Sequence, residues 1–390
     1  MKKMGWIFVF GILLFAFGVV PQLLAKEKEV VIGVIGPLTG GAAFLGVDAL
    51  NGALMATDEI NATGGITVAG QKLKIRMESY DDEATPAKSV AGLKRMKDRF
   101  DIPVVIANVS GSAIAITEIN ERMGVLWCGF ARHPGITSRG NKLVLRMETP
   151  ITVDTDLAAK GAVEIAKAMT FASLSDTGDW ARGVHDNFVK AMESRGAKNL
   201  GTEWFDMRKD TDFRVQITKV KGLNPNVVKV AAYDEASGQI VKQCREMGLM
   251  VPLVLTTGFQ SKGEEIAGAK NLEGCINVLM PGNFDPPPIG LANYKANYKK
   301  RFGGETAVYG ELVYELVYIM ARGMEKAGNV NDAQKIKEGM KAAVPIEKEH
   351  RTAWLKGWME NGDGILWRDI AIYKNGRRVL RDGRPASPQD

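Results

Sequence analysis

Six short stretches of this 390-residue chain carry groups that could hold a small molecule, and each follows an apolar run. Asn108-Val109-Ser110-Gly111-Ser112 ends one such run and opens a helical pattern. A helix start presents unpaired N–H groups and a partial positive charge, so a carboxylate can sit there. Ser110 and Ser112 add hydroxyl donors and Gly111 permits close backbone approach, unless one serine simply caps the helix. The next stretch is Gly129-Phe130-Ala131-Arg132-His133-Pro134. The planar fork of Arg132 could clamp a carboxylate through two parallel bonds, or turn outward and pair with a surface acid. Trp180 opens a helix after Ser175-Asp176-Thr177-Gly178, either as a cleft wall or as a packing residue. Tyr233-Asp234-Glu235 and Thr256-Thr257-Gly258 end two further runs, and Phe44 and Leu45 follow the turn residues Pro37-Leu38-Thr39-Gly40.

Reaction chemistry has no matching template. There is no GxSxG elbow, Walker loop, HExxH or GxGxxG. His133, His185 and His350 are too scattered for an obvious metal set, and His185 is expected on the solvent face of an amphipathic helix. Cys128, Cys244 and Cys275 lack CxxC spacing, which argues against zinc, and Cys128 reads as a small core residue inside Val125-Leu126-Trp127-Cys128. No metal or cofactor is implied. The net charge of +6 is dispersed among acids, so no nucleic-acid footprint emerges. Arg377-Arg378 and Arg381 are expected on a solvated surface.

The elements that would position these stretches alternate. VVIGVIG, from Val30, is a β-branched run suited to burial on both faces of a parallel sheet. Helical spacing follows through Val47, Leu50, Leu54 and Ile60, with Ala53 and Ala56 beside them and Gly64-Gly65 as the stop. Strands are expected at 72–80, 103–109 and 125–130, with helices at 84–100 and 112–123 between them. A second series reads strand 169–174, helix 179–195, strand 201–205, helix 212–221, strand 227–233, helix 235–247 and strand 253–256. Two doubly wound parallel sheets follow from this alternation. Arg146 to Pro150 reads as an extended crossing between them, Val278 to Asp285 and Thr352 to Leu355 as candidate second and third crossings. Long helices are expected at 290–302 and 309–327, and Asp369 to Leu380 reads as a hairpin turning at Asn375-Gly376.

At the amino end, Lys2 and Lys3 precede an uncharged stretch from Met4 to Ala25 that Pro21 breaks. This is the pattern of an export signal cut after Ala25, the alternative being an uncleaved anchor. Removing 25 of 390 residues leaves 365, enough for two ordinary domains. Losing Lys2 and Lys3 lowers the net charge from +6 to +4.

The motifs IGPLTG, NGA, EIN, GGI and SYDDEATPAKSV, read together, resemble the branched-chain amino-acid class of periplasmic solute-binding proteins that serve ABC importers. The likeness extends to about Tyr373. It implies a type I periplasmic-binding fold with three crossings, hence two discontinuous lobes: 26–148 plus 281–353, and 149–280 plus 354–390. It further implies a periplasmic monomer without cofactor, whose partners are a small solute and a membrane permease. The segment at Ser110 would hold the ligand's carboxylate, with Ala131 and Arg132 in places that relatives use for the same group. Trp180 would cover the ligand. A disulfide common in the family, between positions near Ala84 and Val109, is absent because neither site has a cysteine.

Two departures bear on the ligand. Arg132 stands where relatives use backbone and hydroxyl groups, and Thr257 stands where amino-acid binders place the acid that pairs the ligand's ammonium. Asp234 or Glu235 could supply that charge instead. Otherwise the site suits an organic acid without an ammonium, aromatic given Phe44, Phe130, Trp180 and Tyr233. The expected function is capture of a small carboxylate-bearing solute for import. A ligand-sensing regulator or receptor, and an enzyme, are the rivals.

Overall fold

A computed structural model describes residues 28–207, 209–280 and 283–388. The expected export signal lies outside them.

The first sheet contains β1 (Glu29–Gly36), β2 (Ile66–Val68), β3 (Gln71–Asp81), β4 (Val104–Ala107), β5 (Leu126–Gly129) and β6 (Val144–Arg146), in the order β2-β3-β1-β4-β5-β6. β1 pairs in parallel with β3 on one side and β4 on the other, which is why its apolar run is buried from Val30 to Gly36. Three helices link these strands: α1 (Ala43–Ala62), α2 (Pro86–Phe100) and α3 (Ser110–Thr117). The second sheet follows the same design with β7 (Thr170–Asp176), β8 (Lys198–Phe205), β9 (Val227–Ala231), β10 (Leu253–Val254) and β11 (Ile276–Leu279). Its helices are α4 (Ile151–Glu164), α5 (Asp179–Glu193), α6 (Arg214–Gly222), α7 (Asp234–Glu246), α8 (Ser261–Ala267) and α9 (Ala269–Leu272). Later in the chain come α10 (Ile289–Phe302), α11 (Val308–Ala327) and α12 (Ala333–Ala343), then β12 (Leu355–Trp358), β13 (Gly364–Leu366), β14 (Asp369–Lys374) and β15 (Arg377–Leu380). β14 and β15 complete the order β15-β14-β11-β10-β9-β7-β8.

Each sheet is parallel except at one margin, where β2 pairs antiparallel with β3 in the first and β14 with both β11 and β15 in the second. The hairpin turns at Asn375 and Gly376, both at positive φ (52° and 75°), as a two-residue primed turn requires.

The buried face of α1 keeps Ala53, Ala56 and Ile60 of its expected apolar stripe but departs from the rest. Val47 is exposed, and the buried positions are mostly small: Gly46, Ala49, Gly52, Ala53 and Ala56. The reason is close packing on α11, where a Cβ on Gly52 would meet the Gly310 carbonyl oxygen at 2.2 Å. Asp48 lies in this seam and accepts N–H bonds from Gly310 (2.6 Å) and Ala307 (3.1 Å), fixing the start of α11.

Three crossings join the lobes; the first lies where expected, and the positions of the second and third need correction. The first follows β6, where Arg146 is paired with Asp363 at 2.6 Å, and enters α4 at Ile151. In the second, β11 occupies Ile276–Leu279, so the stretch from Val278 begins as strand. Met280 then packs into the first core, and Asp285 N–H bonds the Ala386 carbonyl at 2.9 Å before α10 returns to the first lobe. The third was expected at 352–355, but Leu355 and Leu366 are buried in the first core and β12 pairs with β13 as a separate ribbon. The chain therefore changes lobe near Trp367-Arg368, because carboxylate oxygens of Glu315 hold the N–H groups of Ala353, Trp354 and Leu355 in the first lobe.

Two surface expectations also fail. His185 is 7% exposed, its ring edge-on to Trp204 at 5.0 Å. Arg378 is buried, donating to the Tyr373 hydroxyl at 2.8 Å and the Asn283 carbonyl at 3.1 Å. Cys128, Cys244 and Cys275 are all free and buried, and burial pushes the Cys244 thiol up to about 12.

Candidate functional site

The carboxyl ends of the two sheets face one another across a cleft of about 820 Å³. This is where open α/β sheets place ligands. Ten of the eleven expected site residues line it: Phe44, Leu45, Ser110, Gly111, Ala131, Arg132, Trp180, Tyr233, Asp234 and Thr257. Ser112 does not.

α3 explains the difference between the serines. It begins at Ser110, two residues earlier than its sequence pattern indicates, with Val109 as an extended cap residue. The first intrahelical bond runs from Ala113 N–H to the Val109 carbonyl at 2.8 Å. The N–H groups of Ser110, Gly111 and Ser112 therefore have no intrahelical acceptor, and two of these residues face the cleft. The Ser112 hydroxyl turns inward and donates to Asp82 Oδ2 at 2.6 Å, and Ser89 donates to the same oxygen at 2.7 Å. This buried bond ties α2 and α3 to the end of β3. On the adjacent strand end, Asn108 Oδ1 accepts the Phe130 N–H at 3.0 Å and sets the loop carrying Ala131 and Arg132.

Arg132 points inward and meets buried acids rather than surface ones. Nη2 donates to Glu148 Oε2 at 3.3 Å, and Nη1 donates to Thr257 Oγ1 at 3.1 Å across the cleft. Burial works against its charge, but the neighbouring Glu148 and Asp154 carboxylates outweigh that and hold its pKa above the ordinary arginine value.

The second lobe supplies an aromatic wall. Trp180 and Tyr233 stack at 4.4 Å with 9° between their planes. Gly258 lies against both, since a Cβ there would stand 3.3 Å from Trp180 Cη2 and 3.6 Å from Tyr233 Cδ1. Trp180 Nε1 is buried without an acceptor. Desolvation raises the pKa of the Tyr233 hydroxyl. Tyr309, with Phe130 edge-on at 5.2 Å, closes the opposite side.

Among the acids, Asp234 is engaged. Its Oδ1 accepts the N–H groups of Gln260 and Gly263, both at 2.7 Å, and holds the start of α8 against α7. Burial lifts its pKa, and these backbone donors pull it back. Glu235 also lines the cleft and is exposed. Sequence reading missed Tyr309, Met207, Gln260 and Met280. Tyr309 lies in the first turn of α11 after an ordinary loop; Met280 directly follows β11, Met207 is two residues past β8 and Gln260 six past β10, so only the strand-end rule applied more widely would have raised them.

Two facing lobes, each contributing strand ends and a helix start to one cleft, form a site suited to capturing a small molecule. The family described as Periplasmic binding protein matches residues 29–374, and the chain belongs to it. Among its relatives, the leucine-, isoleucine-, valine-, threonine- and alanine-binding protein of Pseudomonas aeruginosa is 30% identical over 80% of this chain and 82% of its own length. The Leu/Ile/Val-binding protein of Escherichia coli K12 is 29% identical, covering 68% and 71%. In fold, the chain matches the branched-chain amino acid transporter substrate-binding protein LivJ of Streptococcus pneumoniae, solved with isoleucine, at a TM-score of 0.73 and 21% identity over 93% of this chain and all of that one. A solute-binding protein of R. palustris solved with benzoate matches at 0.71 with 16% identity, covering 93% and 98%.

Proposed function

We propose that this protein is the solute-binding component of an ABC importer, capturing a small carboxylate-bearing solute of the branched-chain or related amino-acid class between its lobes and delivering it to a membrane permease. One observation carries the reading: a helix start with free N–H groups at Ser110 and Gly111, the Arg132 guanidinium and the Trp180–Tyr233 pair converge on a single interlobe cleft. The solute's carboxylate sits on α3 and Arg132, with Ala131 beside it, and Phe44, Leu45, Trp180 and Tyr233 cover its apolar part. Relatives named for leucine, isoleucine and valine support the amino-acid class. Glu235, exposed on the facing wall, is the acid we assign to the ammonium, since Asp234 is committed to α8.

A second reading, an organic acid without an ammonium, draws on Thr257. Its hydroxyl accepts from Arg132 and offers no negative charge near the centre of the cleft. We further propose a monomer that works without metal or cofactor and turns over no substrate. It is exported through a signal cut after Ala25 into the periplasm, so amino-terminal sequencing of mature protein should begin at Lys26. Its lobes comprise 26–148 plus 281 onward and 149–280 plus the carboxyl end, the last boundary near residue 367.

A thermal-melt panel separates the readings. A ligand at ~100 times its Kd stabilises the native state by about 2.7 kcal/mol, a shift of some degrees in a chain of this size. Leucine, isoleucine, valine and phenylalanine should be compared with their des-amino counterparts and with benzoate. Under the amino-acid reading the amino acids shift the melt, Glu235→Gln removes the shift and Asp234→Asn does not. Shifts given only by the des-amino acids, and unchanged in Glu235→Gln, would establish the second reading in its place.

A further inference from the structure

Arg132 stands at a junction that holding a solute does not by itself require. It follows β5 in the first lobe, yet Nη1 donates to Thr257 of the second lobe and lies 3.7 Å from Oδ2 of Asp154, in the first turn of α4. Its other nitrogen reaches Glu148 at 3.3 Å and Met280 Sδ at 4.0 Å. Glu148 lies on the first crossing, Met280 on the second, and Arg368 at the third. Arg368 donates to Glu148 and, at 2.9 Å, to Asp154 Oδ1. One guanidinium in the cleft thus touches, directly or through one side chain, every connection between the lobes.

Asp154 is unsatisfied. It is 5% exposed, Arg368 serves Oδ1, and Oδ2 is buried with no hydrogen-bond donor. At 3.7 Å the Arg132 nitrogen is too distant for a hydrogen bond, although a modest torsional change would bring it within reach. A buried carboxylate oxygen without a donor costs free energy, so it draws that nitrogen toward the hinge. Thr257 and the solute draw the same nitrogen toward the cleft. Rotation about a hinge moves distant groups far and near groups little. Opening the lobes therefore breaks the contact with Thr257, out in the cleft, and preserves the one with Asp154, beside the first crossing.

We propose that Arg132 is a two-position latch between the lobes, bonded to Thr257 and the solute's carboxylate in the closed form and to Asp154 Oδ2 in the open form. Asp154 is then a built-in competitor for the solute, and Glu148 and Arg368 are positioning residues that keep both positions available. Ligand affinity is set partly by a carboxylate that never touches the ligand, because stabilising the open form lowers the population competent to close.

The latch can be tested without a solute, whereas its effect on affinity rests on the solute-binding reading above. Spin labels at Lys94→Cys on α2 and Lys242→Cys on α7, both exposed, report the interlobe distance, and the three native cysteines are buried. Asp154→Asn keeps an acceptor for Arg368 but removes the charge that attracts Arg132. We expect its ligand-free distance distribution to move toward shorter, closed values. Arg132→Lys, which cannot bridge two acceptors in the same way, should move it toward longer ones. Calorimetry with leucine and with 4-methylpentanoate should show that Asp154→Asn tightens whichever probe binds by about fivefold or more. Ligand-free distributions unchanged in both variants would overturn the latch, as would weaker binding in Asp154→Asn. If neither probe binds the unmodified protein, the solute reading fails and the ligand-free distances still decide the latch.

Discussion

Ser110 and Ser112 are two residues apart and do different work. Ser110 faces the cleft at the start of α3, and Ser112 gives its hydroxyl to Asp82 beneath it. Removing a buried hydrogen bond of this kind costs about 1–3 kcal/mol when the partner is charged. Ser112→Ala should therefore lower the chemical-denaturation midpoint while leaving solute affinity within about twofold, because its hydroxyl lies outside the cleft. Ser110→Ala should do the reverse, weakening binding about tenfold with little change in stability, the loss of roughly one charge-assisted bond. Equal effects of the two on affinity would contradict the division. Sequence could name both serines but could not separate them, since each hydroxyl's direction depends on where the helix begins. Arg132 and Asp234 were legible as cleft residues for the same reason, their place at strand ends. Their partners were not, because Glu148, Asp154 and Gly263 are far from them in sequence.

At the scale of elements, the seam between α1 and α11 supports one wall of the cleft. Gly52 and Gly310 let the two backbones approach, and Asp48 fixes the start of the helix that presents Tyr309. Gly52→Ala places a Cβ 2.2 Å from a carbonyl oxygen, so the helices must separate. Overpacking of this kind costs about 1–3 kcal/mol, and it should lower the melting temperature by several degrees. The elements readable in advance were those with strong periodicity or a turn signal: the central strands of both sheets with most of the helices between them, α10, α11 and the hairpin at Asn375-Gly376, whereas β2, β6, β11, α4, α8, α9 and α12 were not anticipated. β12 and β13 escaped because they are short and make a ribbon of their own, so no sheet-like apolar run announces them. The exposed Val47 is the converse case. Apolar spacing suggested a stripe, but glycine and alanine define the packed face of α1 because α11 must come close.

For the whole molecule, two buried charges set opposing pH slopes. Burial pushes Glu311 up to about 7, against the pull of Lys295, and pushes Lys229 down to about 7, against the pull of Asp154. Below 7 and above the ordinary glutamate value, the folded state retains a proton on Glu311 that the unfolded chain loses, so stability falls as pH rises through that window. Above 7 and below the ordinary lysine value, the unfolded chain holds a proton on Lys229 that the folded state has lost, so stability rises with pH. These two groups together produce a shallow minimum near neutrality. Denaturant titrations from pH 5 to 9 should show Glu311→Gln flattening the acid limb and Lys229→Met flattening the alkaline one. A limb that keeps its slope in the matching variant assigns that slope elsewhere.

The central claim is that solute held between the lobes closes them, because contacts from both sheets stabilise the closed form and the crossings absorb the rotation. Small-angle X-ray scattering, with and without a saturating amount of the solute giving the largest melting shift, tests this most directly. The account predicts a smaller radius of gyration with solute, and a contraction in Ser110→Ala that requires about tenfold more solute to reach the same extent. An unchanged scattering profile in the presence of proven stoichiometric binding would contradict it.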